Sequence, residues 1–134
     1  MDKQRLVQTA RALVAEGKGI LAADESSGTI KRRFDSINVE STEDNRRDYR
    51  EMLFRTAGVD EFISGVILFD ETIRQDAADG TSMVKILSDR GIIPGIKVDK
   101  GTVPLPEAQD ELVTEGLDGL RDRLKEYNDL GAGF

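Results

Sequence analysis

Lys97 is the residue whose type fits its surroundings least well. It lies in the apolar run 92–99, where an ammonium group is costly to bury unless a carboxylate pairs with it. The candidate partners are the aspartates that end the apolar runs of the chain, Asp24, Asp70 and Asp99. Lys97 could be part of a structural ion pair or a functional cation, and the sequence favours neither, because buried charges occur in structural networks as well as in active sites.

The turn formed by residues 26–29, Ser-Ser-Gly-Thr, is a second place where chemistry could occur. It leads into a helical pattern that carries Lys31, Arg32 and Arg33. Hydroxyl groups, a glycine and a helix N-terminus suit the binding of an anion such as phosphate. Turns of this composition are common and the pattern is not a P-loop, so an ordinary turn is the competing interpretation.

Two further charged groups have simple explanations as well as functional ones. Asp24 could bind hydroxyl groups of a substrate, although a carboxylate that caps the following helix is favoured by the spacing alone. Arg46 and Arg47 lie beside acidic residues in a helical pattern, which is typical of a solvated face.

These residues must be positioned by a repeated unit of the chain. Glycine, a few apolar residues and then aspartate occur three times, at 19–24, 65–70 and 95–99. Continuous apolar runs without alternation are typical of strands buried on both faces of a parallel sheet. We therefore predict an α/β fold in which the three aspartates lie at the carboxyl edge of the sheet, the edge that carries the active site in such folds.

Helical periodicity fills the segments between the strands. We predict helices over 6–14, 30–37, 43–56, 82–90 and 117–130, the last of which ends at Gly131. The segment 101–115, with Pro104 and Pro106, is predicted to be a loop.

Composition limits the classes of function. The chain has 134 residues, a net charge of −7, a pI near 4.7 and neither cysteine nor histidine. An acidic chain disfavours nucleic acid and anionic membranes as general partners, and the N-terminus has no apolar stretch typical of a signal peptide. We expect a cytoplasmic protein without a metal site, a cofactor or thiolate chemistry, whose reactive groups are Lys, Asp, Glu, Tyr or hydroxyls.

The number of strands is small for the fold that the pattern indicates. A closed barrel of eight βα units needs roughly 200 residues or more, whereas three strands are predicted here. An open three-stranded sheet would leave apolar edges exposed, and residues 130–134 have the composition of a loop that leads into a fourth strand. We therefore expect residues 1–134 to be the N-terminal part of one larger barrel domain.

Several motifs together resemble class I fructose-bisphosphate aldolase, the Schiff-base enzyme of glycolysis. The strongest stretches are 19–33 (GILAADESSGTIKRR), 65–72 (GVILFDET) and 95–101 (GIKVDKG), with 43–47 and 116–120 in support. The resemblance runs through essentially the whole chain in order. It implies a (β/α)8 TIM barrel of which about the first three βα units are present.

The resemblance also implies roles for five residues. Asp24 corresponds to the aspartate of strand one, which binds substrate hydroxyls and handles protons, and Lys97 to the strand-three lysine, which assists electrostatically without forming the Schiff base. Ser26 and Thr29 correspond to hydroxyls at a phosphate subsite, and Arg33 to an arginine that contacts one end of a bisphosphate. Asp70, where many members carry histidine, is given no catalytic role.

The same resemblance implies that important groups lie on later strands. These are the Schiff-base lysine, the acid/base glutamate and a further phosphate-binding loop. The complete protein is expected to cleave fructose 1,6-bisphosphate reversibly to dihydroxyacetone phosphate and glyceraldehyde 3-phosphate, and this chain alone is expected to be inactive. Whether the full-length form is a homo-oligomer stays open.

Two alternatives differ in class from an aldolase segment. The chain could be a non-catalytic module that binds phosphosugars or associates with itself to bury its sheet edges. It could also be a lyase that uses Lys97 as the amine nucleophile.

Overall fold

A computed structural model describes residues 3–108 and 110–134 of the chain. Its centre is a parallel sheet of three strands in the order β1-β2-β3. These strands are β1 (Gly19–Ala23), β2 (Ile63–Leu68) and β3 (Ile93–Ile96). An antiparallel hairpin, β4 (Thr102–Pro104) with β5 (Leu112–Thr114), follows the sheet. The helices are α1 (Lys3–Leu13), α2 (Ser27–Asp35), α3 (Glu43–Arg55), α4 (Val59–Phe62), α5 (Asp70–Ile73), α6 (Met83–Ser88) and α7 (Leu120–Asp129).

The three apolar runs form the strands that their composition predicts. β2 is central and pairs with β1 on one side and β3 on the other, in parallel register. Val66 and Leu68, on one face of β2, are almost completely buried, and so is Gly65 on the other face, as expected for a strand that is covered on both faces. β1 is different, because only Ala23 is buried and Ile20 is 44% exposed. The prediction that its apolar run is covered on both faces is therefore wrong. The alternation of strands and helices confirms the predicted α/β class.

Helix boundaries follow local capping chemistry. The side chain of Thr42 accepts a hydrogen bond from the Asn45 amide at 3.1 Å, and the hydroxyl of Ser82 accepts one from the Lys85 amide at 3.2 Å. These N-caps set the starts of α3 and α6. At the end of α7, the Gly131 amide donates to Asn128, and the backbone of Gly131 has a φ of 105°, a conformation that favours glycine.

Several boundaries differ from the predictions. Residues 101–115 are not a simple loop, because three residue pairs of β4 and β5 form a ladder there. Alternation of apolar and polar residues is too brief in strands of three residues to be recognised. The last helix begins at Leu120, three residues later than predicted, because Gly119 before it adopts a left-handed φ of 65°. The short helices α4 and α5 were not predicted.

The core lies between the sheet and the helices on its outer side. Phe54 of α3, Met83 and Leu87 of α6 and Tyr127 of α7 belong to one buried cluster with the side chains of β2. In contrast, α1 has no buried residue, and Leu6 and Val14 are largely exposed. The helices that follow the strands therefore contribute more to the core than the N-terminal helix.

Arg46 of α3 does not lie on a solvated face, and that prediction is wrong. Its guanidinium binds both carboxylate oxygens of Glu71, at 2.8 and 2.5 Å, and its side chain is only 15% exposed. Arg47 does behave as predicted, since it pairs with the exposed Asp44 and Asp48. Adjacent helical residues point about 100° apart, so only one of the two arginines can reach the protein interior.

The C-terminal residues continue the sheet beyond β3. The Gly133 amide donates to the Pro94 carbonyl at 2.8 Å, and the Ile96 amide donates to the Phe134 carbonyl at 3.0 Å. These two bonds agree with the prediction that residues 130–134 lead toward a fourth strand. Within the described part of the chain, no helix is both long and apolar enough to cross a membrane.

Glycines at two neighbouring strands make room for the ring of Phe134. A Cβ atom at Gly95 would lie 2.6 Å from ring carbons of Phe134, and one at Gly65 would lie 2.9 Å from the same ring. Such distances are shorter than van der Waals contact, so the ring and a larger residue cannot both occupy this space.

We predict that Gly95→Ala destabilises the chain by about 1–3 kcal/mol through overpacking against Phe134. Gly28→Ala is the control, because no atom lies within 4 Å of its added methyl group and alanine favours the helix. Urea unfolding measures both. Equal stability of Gly95→Ala and the wild type would contradict the packing described here.

Candidate functional site

A cavity of about 590 Å³ lies where the three parallel strands end. Each strand is followed within three residues by part of the lining: Ser26 after β1, Phe69 and Asp70 after β2, and Lys97 and Asp99 after β3. Helix α7 and the start of the hairpin segment complete the lining with Arg123, Tyr127, Lys100 and Gly101. The predicted carboxyl edge of the sheet is thus a concave site in which a few charged and hydroxyl groups stand on mostly apolar walls, the usual character and location of ligand sites in this class of fold.

Lys97 lies one residue beyond β3, and its partner is Asp99. The ammonium group forms an ion pair with the Asp99 carboxylate, while the Lys97 amide continues the parallel ladder to the Leu68 carbonyl at 2.9 Å. Hydrogen bonding by Lys97, helped by the Gly101 amide at 3.0 Å, holds the pKa of Asp99 below its usual range. Of the three aspartates considered from the sequence, only Asp99 pairs with Lys97.

Asp70 ties the end of β2 to α7. Its Oδ1 atom accepts hydrogen bonds from the Tyr127 hydroxyl at 2.8 Å and from Arg74 at 2.9 Å. Arg74 also pairs with Glu126 at 2.5 Å. Hydrogen bonding by Arg74 lowers the pKa of Asp70, and burial raises the pKa of Tyr127, so the pair consists of a carboxylate and a neutral phenol at neutral pH.

Arg123 is a cavity residue that the sequence analysis missed. Its guanidinium donates to the Val98 carbonyl at 3.0 Å and to the Gly116 carbonyl at 2.6 Å. It thereby joins the end of β3 to the segment before α7. The residue looks like one of many charges on an amphipathic helix, and only its spacing of four residues from Tyr127 indicates that both face the sheet.

The predicted phosphate residues lie around the start of α2. The Ser26 hydroxyl lines the cavity and donates to the Thr29 hydroxyl at 3.2 Å, which also accepts from Arg32 at 3.2 Å. Arg33 is 58% exposed and pairs with the buried Glu25 carboxylate. Thr29 and Arg33 do not line the cavity itself, so the structure places one of the three predicted anion ligands in it.

Asp24 lies directly after β1 and is half-buried. Among the described residues it is outside the cavity lining. It is also the one strand-end carboxylate of this edge whose side chain has no hydrogen bond or ion pair with described residues, whereas Asp70 and Asp99 are both paired. Its expected role as a helix cap is not seen, since α2 has Ser26 at its N-cap position.

Comparison with known proteins identifies relatives over nearly the whole chain. The sequence profile of the family described as fructose-bisphosphate aldolase class-I matches residues 5–134. A probable fructose-bisphosphate aldolase class 1 of Xanthomonas campestris pv. campestris is 58% identical over all 134 residues. Fructose-bisphosphate aldolase 2 of Plasmodium berghei is 58% identical over 131 residues, or 98% of the chain.

A solved structure gives the same result for the fold. The fructose-bisphosphate aldolase of Plasmodium falciparum, in complex with TRAP and a small-molecule inhibitor, superimposes with a TM-score of 0.94 at 55% identity over 96% of the chain. The chain spans 40% of the length of the Xanthomonas relative, 36% of the P. berghei relative and 37% of the solved chain. The observed sheet is therefore that of the first βα units of a (β/α)8 barrel.

We predict that the Asp70 pair makes stability dependent on acid pH. Because the folded-state pKa of Asp70 lies below the ordinary value of 3.8, its contribution is present above that value and is lost as the pH falls through the lower folded-state value. Urea unfolding from about pH 6 to about pH 2 should show a smaller acid loss in Asp70→Asn than in the wild type. Tyr127→Phe should be intermediate, and identical pH profiles would contradict the interaction.

We also predict different costs for two N-cap substitutions. Thr42→Ala removes a hydroxyl that caps α3 and should cost about 1 kcal/mol. Ser26→Ala should cost less than about 0.5 kcal/mol, because the Ser26 side chain makes no capping bond to α2. Thermal unfolding compares the two variants. A larger loss for Ser26→Ala would mean that its hydroxyl is structural rather than available to a ligand.

Proposed function

The chain belongs to the class I fructose-bisphosphate aldolase family, and we propose on that basis that it supplies the first three βα units of a glycolytic lyase. The complete barrel would cleave fructose 1,6-bisphosphate reversibly to dihydroxyacetone phosphate and glyceraldehyde 3-phosphate through a Schiff base. Residues 1–134 would form the N-terminal part of a single barrel domain. The family match over residues 5–134 is the observation that supports this function most strongly.

Lys97 is proposed to act electrostatically. Its side chain is 25% exposed and lies in the cavity with Ser26, so it is accessible to a ligand while its charge is balanced by Asp99. An ammonium group held by a carboxylate is suited to attract phosphate or polarise a hydroxyl, whereas a Schiff base requires a free amine. This geometry favours the electrostatic role over the alternative in which Lys97 is the nucleophile.

Asp24 is proposed to bind substrate hydroxyls and to handle protons at the reacting carbons. A carboxylate accepts hydrogen bonds only while its oxygens are not already occupied. Asp24 fulfils this condition within the described chain, and its half-buried position next to β1 restricts its motion. The paired Asp70 and Asp99 are less available.

One phosphate of the substrate is proposed to bind at the start of α2. Ser26 and Thr29 supply hydroxyl groups, and the amides at 27 and 28 add donors at the positive end of the helix dipole, since the next two amides already bind the Ser26 carbonyl. Arg33, on the last turn of the same helix, is 58% exposed. Its guanidinium is held by Glu25 and is accessible to an anion.

The isolated chain is proposed to be inactive. In this family the Schiff-base lysine and the acid/base glutamate are on later strands, and positioning by the groups present here cannot replace a covalent step. We place the complete protein in the cytoplasm, with a phosphorylated sugar as substrate and with neither nucleic acid nor membrane as partner.

Two assays test these proposals. Borohydride treatment of the chain with fructose 1,6-bisphosphate, followed by intact mass, should show no adduct. When the chain replaces the matching residues of the Xanthomonas relative, the hybrid barrel should cleave the bisphosphate, and Lys97→Met should lower its kcat/KM by about a hundredfold or more.

The control for Lys97→Met is Lys85→Met. Lys85 is also paired with an aspartate, Asp89, but its side chain is 62% exposed on α6, so the hybrid should keep its activity. A reduced adduct on the isolated chain would instead identify a lysine present here as the nucleophile. A hybrid that folds and binds the bisphosphate without cleaving it would favour the non-catalytic module.

A further inference from the structure

Arg50 is completely buried in the middle of α3, although it is an arginine. Its Nε atom donates to the Ala23 carbonyl at 3.3 Å and its Nη2 atom to the Glu25 carbonyl at 2.8 Å. These carbonyls belong to the residues on either side of Asp24. Burial lowers the pKa of Arg50 against the opposing effect of Glu25, so the fold retains a charge at a site where desolvation is unfavourable.

The Glu25 carboxylate joins Arg50 to the surface. One oxygen, Oε2, lies 3.4 Å from Arg50 Nη2, while the other, Oε1, accepts a hydrogen bond from Arg33. The Glu25 side chain is 7% exposed, in contrast to the exposed Arg33. The three side chains therefore form a chain of contacts with a buried inner end, Arg50, and an exposed outer end, Arg33.

The same helix holds the neighbouring strand in the same way. Arg46 precedes Arg50 by four residues, which places both on one face of α3. Arg46 forms an ion pair with Glu71, three residues beyond the end of β2. In the same way, Arg50 pairs with Glu25, two residues beyond the end of β1. α3 thus fixes the carboxyl ends of two adjacent strands through two buried or half-buried arginines.

We propose that Arg50 is a positioning residue for the anion site at the start of α2. It holds the backbone on both sides of Asp24 and, through Glu25, restrains the guanidinium of Arg33 before a ligand arrives. A restrained side chain loses less conformational entropy when it binds. The inference rests on the proposed function only in taking Arg33 as a contact for a substrate phosphate.

The positioning itself is measured without ligand. In the ¹⁵N-labelled chain, the heteronuclear NOE of the Arg33 Nε–H group should be high in the wild type and lower in Glu25→Gln and Arg50→Lys. Arg47→Lys, on the same helix but paired with Asp44 and Asp48, is the control and should not change Arg33. An unchanged Arg33 in a folded Arg50→Lys variant would overturn the proposal.

A reciprocal measurement covers the case in which Arg50→Lys does not fold. The Arg50 Nε–H resonance should shift and exchange faster with water in Glu25→Gln, which leaves Arg50 in place. If this resonance is the same in Glu25→Gln and the wild type, Glu25 does not link the two arginines and the proposal is wrong.

A binding assay then separates positioning from general stability. Arg50→Lys should weaken binding of fructose 1,6-bisphosphate by about fivefold in the wild-type background and by less than about twofold in an Arg33→Met background. Equal weakening in both backgrounds would show that Arg50 does not act through Arg33. If the chain binds no bisphosphate but the NOE values fall as expected, the phosphate assignment fails and the positioning role stands.

Discussion

The parallel pairing of β1, β2 and β3 is the constraint on which the rest of the molecule depends. The strands are built from apolar runs, and charged side chains follow where the runs end. Because the strands are parallel, their carboxyl ends meet at one edge. Asp24, Asp70 and Asp99 are separated by tens of residues in sequence but belong to the same edge of the sheet.

Concentrating negative charge at one edge is unfavourable unless each carboxylate is given a partner. The fold supplies these partners from three different elements: α3 provides arginines for Glu25 and Glu71, α7 provides Tyr127 for Asp70, and the segment after β3 provides Lys97 for Asp99. Asp24 is left without such a partner among the described residues. Selective hydrogen bonding and ion pairing therefore distinguish one carboxylate from its neighbours, which is a common way to give similar groups different roles.

Much of the fold was predictable because it depends on local patterns. Continuous apolar runs predicted all three parallel strands, and helical periodicity predicted the five longer helices, since burial periodicity is a property of a single segment. The hairpin at 102–114 was missed because strands of three residues have almost no period. The start of α7 was misplaced because the apparent period begins at Leu117, whereas the left-handed Gly119 delays the helix to Leu120.

The candidate site also has a part that local sequence determines and a part that depends on the tertiary structure. The sequence by itself determined which residue types stand at the strand ends, and through its motifs it indicated the family and the five candidate residues, among them Lys97 and Ser26, which line the cavity. It could not determine which charges meet. Three arginines look like ordinary surface residues of amphipathic helices: Arg46, Arg50 and Arg123. Each binds a residue 25 positions away in the sequence, namely Glu71, Glu25 and Val98 in that order. Only the tertiary structure brings such groups together, because long-range contacts follow from how the helices pack on the sheet and not from the order of neighbouring residues.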